Sequence, residues 1–189
     1  YYTYQEAEKL ANRVVRFRKE GQTLLDKKII IDNIPAASIH NGGRIKFGPD
    51  GLLYITTGDA SVSDLAQDRD SLAGKILRLR DDGTIPLGNP FPGAPVYALG
   101  HRNPQGLAWD AQGRLWAVEH GSSATDELNL IEAGKNYGWP RIRGDEQATG
   151  LESPLIHSGE DTWAPSGLTY FDGSLYFAGL RSQSLYQLI

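Results

Sequence analysis

At 189 residues, with 40% hydrophobic and 22% charged residues, the chain is long enough for one globular domain with a sizeable core. Its net charge of −4 comes from interspersed acidic and basic residues, which excludes a basic surface for nucleic acid or for a membrane. Because the chain has no cysteine and no run of about 18 apolar residues, it has no disulfide, zinc–thiolate site, thiol nucleophile or membrane span.

The beginning of the chain predicts a piece of a longer protein. The first residue is Tyr1, and the sequence contains no methionine. We therefore expect the chain to begin inside a longer gene product and to be truncated at both ends. The absence of a signal peptide then says nothing about export.

The predicted elements are mostly short strands. A first turn of helix is predicted near Tyr4–Leu10. The segment Glu127–Ile131 reads either as a strand or as part of a short amphipathic helix, Asp126–Ala133, capped by Thr125 or Asp126. The other predicted strands outside the hairpins described next are Arg13–Phe17, Lys28–Ile31, Lys75–Leu79 and Val96–Leu99.

A hairpin pattern repeats three times along the chain. Each copy has a strand ending in an aromatic residue, a tight turn, and a second strand with an aromatic residue three positions after the turn glycine. The turn glycines Gly51, Gly113 and Gly173 lie 62 and then 60 residues apart. Such a repeat predicts an all-β fold, a β-propeller of four-stranded blades. The alternative is a β-sandwich with coincidental hairpins.

We therefore expect residues 1–189 to form a partial β-propeller, a single domain of about three blades. Propellers close with four to eight blades, and an incomplete ring leaves unpaired edges. We expect missing blades or a second chain to close the ring.

Polar residues cluster where the predicted strands end. His40 ends a connection and precedes a predicted strand, and Asp59 lies at the end of the strand that pairs with it. Asp59 can therefore hold and orient the His40 imidazole, which suits a general base. The alternative is an exposed loop histidine and a turn aspartate. A tight turn carries Arg102, Asn103 and Gln105, which suit either a ligand or a satisfied structural corner.

A second polar stretch lies further along the chain. Successive carbonyls at Gly121 and Ser122 can ligate a hard cation such as calcium, with Asp126 and Glu127 downstream. The alternative reading of this stretch is a helix N-terminus. Arg181 reads as a surface cation at a strand end. No nucleophile elbow, phosphate loop or dinucleotide fingerprint is present, which argues against a nicotinamide or ATP enzyme.

Five long sequence words stand out along the chain. They begin at His40 (HNGGRIKFGPDGLLYITTGD), Ser71 (SLAGKILR), Gly100 (GHRNPQGL), Asp126 (DELNLI) and Asn136 (NYGWP). Together they resemble the glucose/sorbosone dehydrogenase family of soluble quinoprotein sugar dehydrogenases, and within it the aldose sugar dehydrogenases. The resemblance covers most of the chain, in the family's order.

The resemblance implies a six-bladed propeller, of which about three blades are in this chain, with pyrroloquinoline quinone (PQQ) and calcium at the mouth of the channel. It implies oxidation of aldose sugars at the anomeric carbon to lactones, with hydride transfer to the quinone and electrons passing to an external acceptor. It also implies a periplasmic or extracellular location. A non-catalytic propeller that binds a partner and a calcium-dependent lactonase are the alternatives.

Roles for individual residues also follow from the resemblance. His40 matches the general base, Asp59 its carboxylate partner, and Arg102 the cation at the quinone oxygens. Gly121 and Ser122 match the backbone ligands of the cofactor calcium, and Glu127 and Tyr137 match positions near a second, structural calcium. The implied cofactor contacts besides Arg102 are Asn103, Gln105, His120 and Arg181.

Two departures from the glucose-oxidising relatives favour the broad aldose branch. His120 stands where those relatives have an amide. The aromatic residue over their cofactor has no clear match around Glu160–Trp163.

Overall fold

The computed structural model describes all 189 residues as fourteen β-strands and one short 3-10 turn, Ser63–Ala66. None of its helices has the length and apolar character needed to cross a membrane. The strands are β1 (Tyr2–Glu6), β2 (Lys9–Glu20), β3 (Thr23–Pro35), β4 (Ile45–Phe47), β5 (Leu53–Thr57), β6 (Lys75–Leu79), β7 (Val96–Leu99), β8 (Pro104–Trp109), β9 (Leu115–Glu119), β10 (Glu127–Ile131), β11 (Ile156–His157), β12 (Pro165–Phe171), β13 (Ser174–Gly179) and β14 (Ser184–Leu188).

The strands form four antiparallel sheets in chain order. Two sheets have four strands, β4-β5-β6-β7 and β8-β9-β10-β11, and two have three strands, β1-β2-β3 and β12-β13-β14. The prediction of an all-β fold with four-stranded sheets is confirmed. The chain nevertheless has four sheets where the sequence predicted about three blades, because the hairpin repeat is absent from the first sheet and could not reveal it.

The three predicted hairpins are present as β4–β5, β8–β9 and β12–β13. Their turn glycines Gly51, Gly113 and Gly173 have φ angles of +74°, +75° and +82°. This left-handed backbone favours glycine, since any other residue places a Cβ against the chain there. The repeated glycines therefore mark the turns correctly.

The hydrophobic core consists of three clusters, each between two consecutive sheets. In the first cluster Ile34 of the first sheet packs with Ile55 and Leu77 of the second, and all three are fully buried. The second and third clusters join the second sheet to the third and the third to the fourth in the same way. Four sheets that pack face to face in chain order resemble neighbouring propeller blades and differ from the two facing sheets of a sandwich.

Two helical predictions are wrong. The segment Tyr4–Leu10 is a hairpin between β1 and β2, and the chain turns at Ala7 with φ +53°. Cross-strand packing favours this hairpin, because the Arg13 guanidinium lies 4.2 Å from the Tyr4 ring and donates to Asp32 at 2.6 and 2.7 Å.

The second is the helix Asp126–Ala133, which was the alternative to a strand at Glu127–Ile131; the strand prediction is confirmed. Residues Glu127–Ile131 form β10, which pairs with β9 on one side and β11 on the other. Its backbone groups are therefore bonded to strands that are distant in sequence, which overrides the local helical pattern. Asp126 is consequently not a helix cap.

Candidate active site

The candidate residues lie at one end of the sheets. In an antiparallel meander every second connection returns to the same end. The segment before β4 carries His40, the β5–β6 connection carries Asp59, and the β7–β8 connection carries Arg102. The β9–β10 and β13–β14 connections, with Gly121 and Arg181, lie at this end as well. We call this the connection end; the three hairpin turns lie at the other.

His40 and Asp59 form a hydrogen-bonded pair. The imidazole Nδ1 lies 2.8 Å from Asp59 Oδ1, and the two side chains are 15% and 2% exposed. Because an ionised carboxylate can only accept, Nδ1 carries the hydrogen, and Nε2 is left with a free lone pair. His40 also has a left-handed backbone, with φ +60°, which is uncommon for a residue with a side chain.

Gly58 makes this close approach of His40 and Asp59 feasible. The His40 carbonyl accepts the N–H of Ala60 at 3.1 Å, and a Cβ on Gly58 would overlap that carbonyl. The Asp59 N–H donates to the Arg102 carbonyl at 2.8 Å. The backbone therefore joins the segments of all three predicted catalytic residues.

The Arg102 guanidinium is half-buried and has no carboxylate partner within ion-pair distance. Its Nη1 donates to the Gly121 carbonyl at 2.5 Å and to the His120 carbonyl at 3.3 Å, and its Nε is buried without a partner. Burial lowers the pKa of Arg102, while the charges of nearby carboxylates, Asp59 first, oppose that shift. A buried cation with an unused N–H is suited to an anionic or carbonyl ligand.

Asn103 and Gln105 join the second and third sheets. The Asn103 Oδ1 accepts the N–H of Gly42 at 3.1 Å and the Nε2 of Gln105 at 2.9 Å. These contacts form the satisfied corner that was the alternative reading of the motif. They also hold both amides next to Arg102.

His120 is fixed by the start of the fourth sheet. Its Nε2 lies 2.8 Å from the carbonyl of Pro165, so this nitrogen is the donor. Ser122 accepts a hydrogen bond from Arg143 at 3.2 Å through its hydroxyl. Arg181 is exposed and forms no side-chain hydrogen bond or ion pair with the other candidate residues. The structure therefore brings His120, Gly121 and Ser122 to Arg102, but it leaves the Arg181 side chain apart.

Glu127 lies in a buried acidic network behind Arg102. Asn129 Nδ2 donates to both Glu119 and Glu127 at 3.2 Å, and Asn129 Oδ1 has no partner. Burial and then the charge of Glu119 raise the pKa of Glu127. The Tyr137 hydroxyl is already used, since it donates to Leu130 at 2.6 Å. No three His, Asp or Glu side chains converge as a metal site.

Sequence reasoning assigned no role to two residues that shape the site. Glu119 accepts the Arg102 N–H at 2.8 Å and contacts the buried His101 at 2.7 Å. Trp139 donates its indole N–H to Asp59 at 2.8 Å. Trp139 lies in the word NYGWP, which was a signal for that residue, but a sequence word does not show which side chains meet; Glu119 lies outside all five words.

Asp126 was predicted as a cation ligand or a helix cap, but the structure gives it another role. Its carboxylate accepts three backbone N–H groups, from Gly121 at 2.8 Å, Trp163 at 2.6 Å and Ala164 at 2.7 Å. Asp126 is 2% exposed. It therefore joins the β9–β10 connection to the segment before β12, and this fixes the orientation of Gly121.

Lys75 holds the connection that follows Asp59. It is fully buried, and its Nζ donates to the carbonyls of Leu65, Ala66 and Ala73 at 2.7, 3.1 and 2.6 Å. Burial lowers the pKa of Lys75 to about 8.

This low pKa predicts a pH-dependent stability. Between pH 8 and pH 10 the unfolded chain binds the Lys75 proton more tightly than the folded chain does. The free energy of unfolding should therefore rise with pH in this window, by up to about 1.4 kcal/mol per pH unit. Urea unfolding of the wild type and of Lys75→Met at pH 7.5 and 9.5 measures the difference.

The expected result is that the wild type gains about 1–2 kcal/mol over Lys75→Met between these pH values. The exposed Lys19→Met is the matched control and should follow the wild type. A wild-type advantage that is independent of pH would contradict the prediction.

Comparison with known proteins identifies similar chains. Residues 1–189 match the family model described as Glucose / Sorbosone dehydrogenase. The aldose sugar dehydrogenase YliI of Escherichia coli (strain K12) is 35% identical over 183 residues, which are 85% of this chain and 49% of that protein. Quinoprotein glucose dehydrogenase B of Acinetobacter calcoaceticus is 37% identical over 156 residues, 71% of this chain and 33% of that protein.

A solved structure has the same fold. The PQQ-bound form of the aldose sugar dehydrogenase (Adh) from Streptomyces coelicolor matches with a TM-score of 0.89 and 45% identity, over 98% of this chain and 57% of that one. The chain spans half or less of the length of the two relatives above.

Proposed function

The chain belongs to the glucose/sorbosone dehydrogenase family, and from this premise we propose that it is part of a PQQ-dependent aldose sugar dehydrogenase. The reaction is oxidation of an aldose at its anomeric carbon to the lactone. The observation that carries the proposal is the meeting of the His40–Asp59 pair with the unpaired Arg102 at one end of the sheets.

The residues present fit PQQ, which is an anionic quinone. Arg102 offers a buried N–H that has no partner in the protein, and no carboxylate lies within ion-pair distance of its guanidinium. Such a cation favours the carboxylate or quinone oxygens of a ligand. When bound, PQQ would supply the acceptor for the hydride that leaves the sugar carbon.

His40 acts as the general base in this proposal. With Nδ1–H donated to Asp59, its Nε2 is free to take the proton of the anomeric hydroxyl. Asp59 fixes the tautomer and stabilises the imidazolium that forms, as a buried carboxylate does in other histidine-based sites. Removal of this proton as the hydride leaves converts the C–OH group to a lactone carbonyl.

Arg102 has an electrostatic role. It places a fixed positive charge where negative charge builds up on the acceptor, and its neighbours already hold it in place. Asn103, Gln105 and His120 line the same end and are proposed cofactor contacts. Arg181 is exposed and has no side-chain hydrogen bond or ion pair with these residues, so its proposed role depends on the resemblance alone.

Calcium at Gly121 and Ser122 is proposed only together with PQQ. The Gly121 carbonyl is already bonded to Arg102, and no cluster of acidic side chains surrounds it. Calcium takes six to eight oxygen ligands, so most of them would have to come from the cofactor and water. The Gly121 carbonyl has a second lone pair that could bind the ion beside the Arg102 hydrogen bond.

A second, structural calcium is proposed beside Glu127. A cation there would neutralise the buried charges of Glu119 and Glu127 and would use the unpartnered Asn129 Oδ1. The Tyr137 hydroxyl is bonded to Leu130 and Glu132, so only the main-chain carbonyl of Tyr137 is available to such an ion.

We further propose that the four sheets are blades of a partial propeller, a single domain over residues 1–189, and that missing blades or a second chain close the ring. The open edges of β1 and β14 and the length of the relatives support this proposal. The native mass of the purified protein tests it. The family resemblance also supports a periplasmic or extracellular location, which cell fractionation tests.

Reconstitution tests the function. The intact gene product is mixed with PQQ and calcium chloride, and an aldose and an electron-accepting dye are then added, because we expect a chain with only part of the ring to bind PQQ weakly. We expect dye bleaching that requires PQQ, calcium and sugar together. Without PQQ, Arg102 and His40 have no group beside them that can accept the hydride.

Two outcomes would contradict the proposal in favour of its alternatives. Lactone hydrolysis that needs calcium but no quinone would indicate a lactonase. Tight PQQ binding with no turnover in the intact gene product would indicate a binding module.

A further inference from the structure

We propose that Trp139 is a positioning residue for both halves of the site, because its indole N–H fixes Asp59 and its ring supports Arg102. The predicted effect on turnover rests on the function proposed above. The contacts themselves are properties of the chain and can be tested without turnover.

The indole N–H gives Asp59 a separate donor for each oxygen. Trp139 Nε1 donates to Oδ2 at 2.8 Å, while Oδ1 interacts with His40 at 2.8 Å and accepts the Ser61 N–H at 2.8 Å. Because the Asp59 carboxylate is buried, loss of the indole donor would leave Oδ2 without a partner. The carboxylate would then be free to rotate away from the geometry that holds His40.

The Trp139 ring also lies beside the cation. The Arg102 guanidinium carbon is 5.4 Å from the centroid of the Trp139 ring, within the range of a cation–π contact. Since Arg102 has no carboxylate partner and a buried unpaired Nε, the ring compensates part of the cost of its burial. The Trp139 side chain therefore contacts both Asp59, which is the partner of His40, and Arg102, which is the proposed cofactor ligand.

Trp139 is itself held by two other connections. The backbone N–H of Trp139 donates to the Gly100 carbonyl at 3.0 Å, and the backbone carbonyl of Trp139 accepts a hydrogen bond from Gln67 Nε2 at 2.6 Å. The Gln67 and Asn136 amides bond to each other in both directions, at 3.0 and 2.8 Å. These hydrogen bonds fix the backbone of Trp139 and therefore the position of its indole, as a positioning residue requires.

Two substitutions separate the two roles. Trp139→Phe keeps an aromatic ring for Arg102 but removes the N–H, whereas Trp139→Leu removes both. We expect Trp139→Phe to lower kcat about tenfold with an unchanged dissociation constant for PQQ. We expect Trp139→Leu to lower kcat as well and to weaken PQQ binding about threefold to tenfold.

Trp116→Phe is the matched control. Trp116 also donates its indole N–H to a buried aspartate, Asp110, at 2.9 Å, but at the hairpin end of the third sheet. The control variant loses the same kind of hydrogen bond and should keep the wild-type kcat and PQQ affinity.

A measurement that needs no turnover tests the contact itself. The chain has four tryptophans, so its ¹H–¹⁵N spectrum contains four indole N–H signals, and the spectrum of Trp139→Phe assigns one of them. In Asp59→Asn we expect the Trp139 signal to shift upfield, because its carboxylate acceptor is replaced by a weaker amide oxygen, while the Trp116 signal stays in place.

The outcomes are distinct. An unchanged Trp139 signal in Asp59→Asn would overturn the proposal, and so would wild-type turnover in Trp139→Phe. If Trp139→Phe and Trp139→Leu lose kcat and PQQ affinity to the same extent, Trp139 acts only by packing, which would also contradict the proposal. If the wild type itself does not oxidise aldoses, the proposed function fails, and the indole signal alone decides the fate of the proposed contact.

Discussion

Replacement of His40 by alanine is expected to lower kcat by about 10²- to 10⁴-fold, the usual contribution of a positioned general base. The His40 imidazole is oriented by a buried carboxylate and is partly exposed, whereas His101, which Glu119 holds in the same way, is fully buried. PQQ affinity should change little, because Arg102 and its neighbours are untouched. Steady-state kinetics and PQQ titration of the reconstituted protein measure the two effects separately.

The strained backbone at His40 requires a second variant. Asparagine tolerates the left-handed φ of +60° better than alanine does, so His40→Asn removes the imidazole with less change in backbone strain. Both variants should lose activity alike, and added imidazole should restore part of it in His40→Ala. The adjacent, exposed Ile39→Ala serves as control and should keep activity. A His40→Asn protein with near-wild-type kcat would rule out the base.

Replacement of Arg102 by methionine is expected to weaken PQQ binding about 10- to 100-fold. Methionine has similar length but no charge and no donors, and hydrogen bonds to charged groups contribute about 1.5–3 kcal/mol each. The kcat at saturating PQQ should fall as well, since the fixed charge also stabilises charge that develops in the reaction. Equilibrium titration with PQQ and the dye assay measure the two quantities.

Arg114→Met is the matched control for this prediction. Arg114 also contacts an aromatic ring, that of Trp116 at 5.5 Å, but it lies at the hairpin end and is paired with Asp110 at 2.6 Å. The control should bind PQQ like the wild type. Equal PQQ affinity of Arg102→Met and the wild type would contradict the assignment of Arg102 as a cofactor ligand.

The hairpins and most strand positions could be predicted from the sequence because they depend on local chemistry. Gly51, Gly113 and Gly173 occupy left-handed turn positions that other residues adopt at a cost, so the residue type itself marks the turn. The His40–Asp59 pair was also predictable, since the two residues flank paired strands β4 and β5.

The local pattern left two readings open where partners distant in sequence decide the structure. Glu127–Ile131 has a plausible helical pattern, yet β9 and β11 bond to it on both sides and make it a strand. Asp126 has the sequence of a helix cap, but the groups that it binds are Gly121 and two residues almost 40 positions further on. Propensity is weaker than such pairing.

By itself, the sequence determined the all-β class, the repeating hairpins and the residue types that meet at the connection end, because turn geometry and side-chain chemistry are local properties. Only the tertiary structure decided that there are four sheets, that Arg102 bonds the Gly121 carbonyl, and that Trp139 reaches Asp59. These contacts join residues up to 80 positions apart, and they depend on strand register and on how each sheet packs against the next.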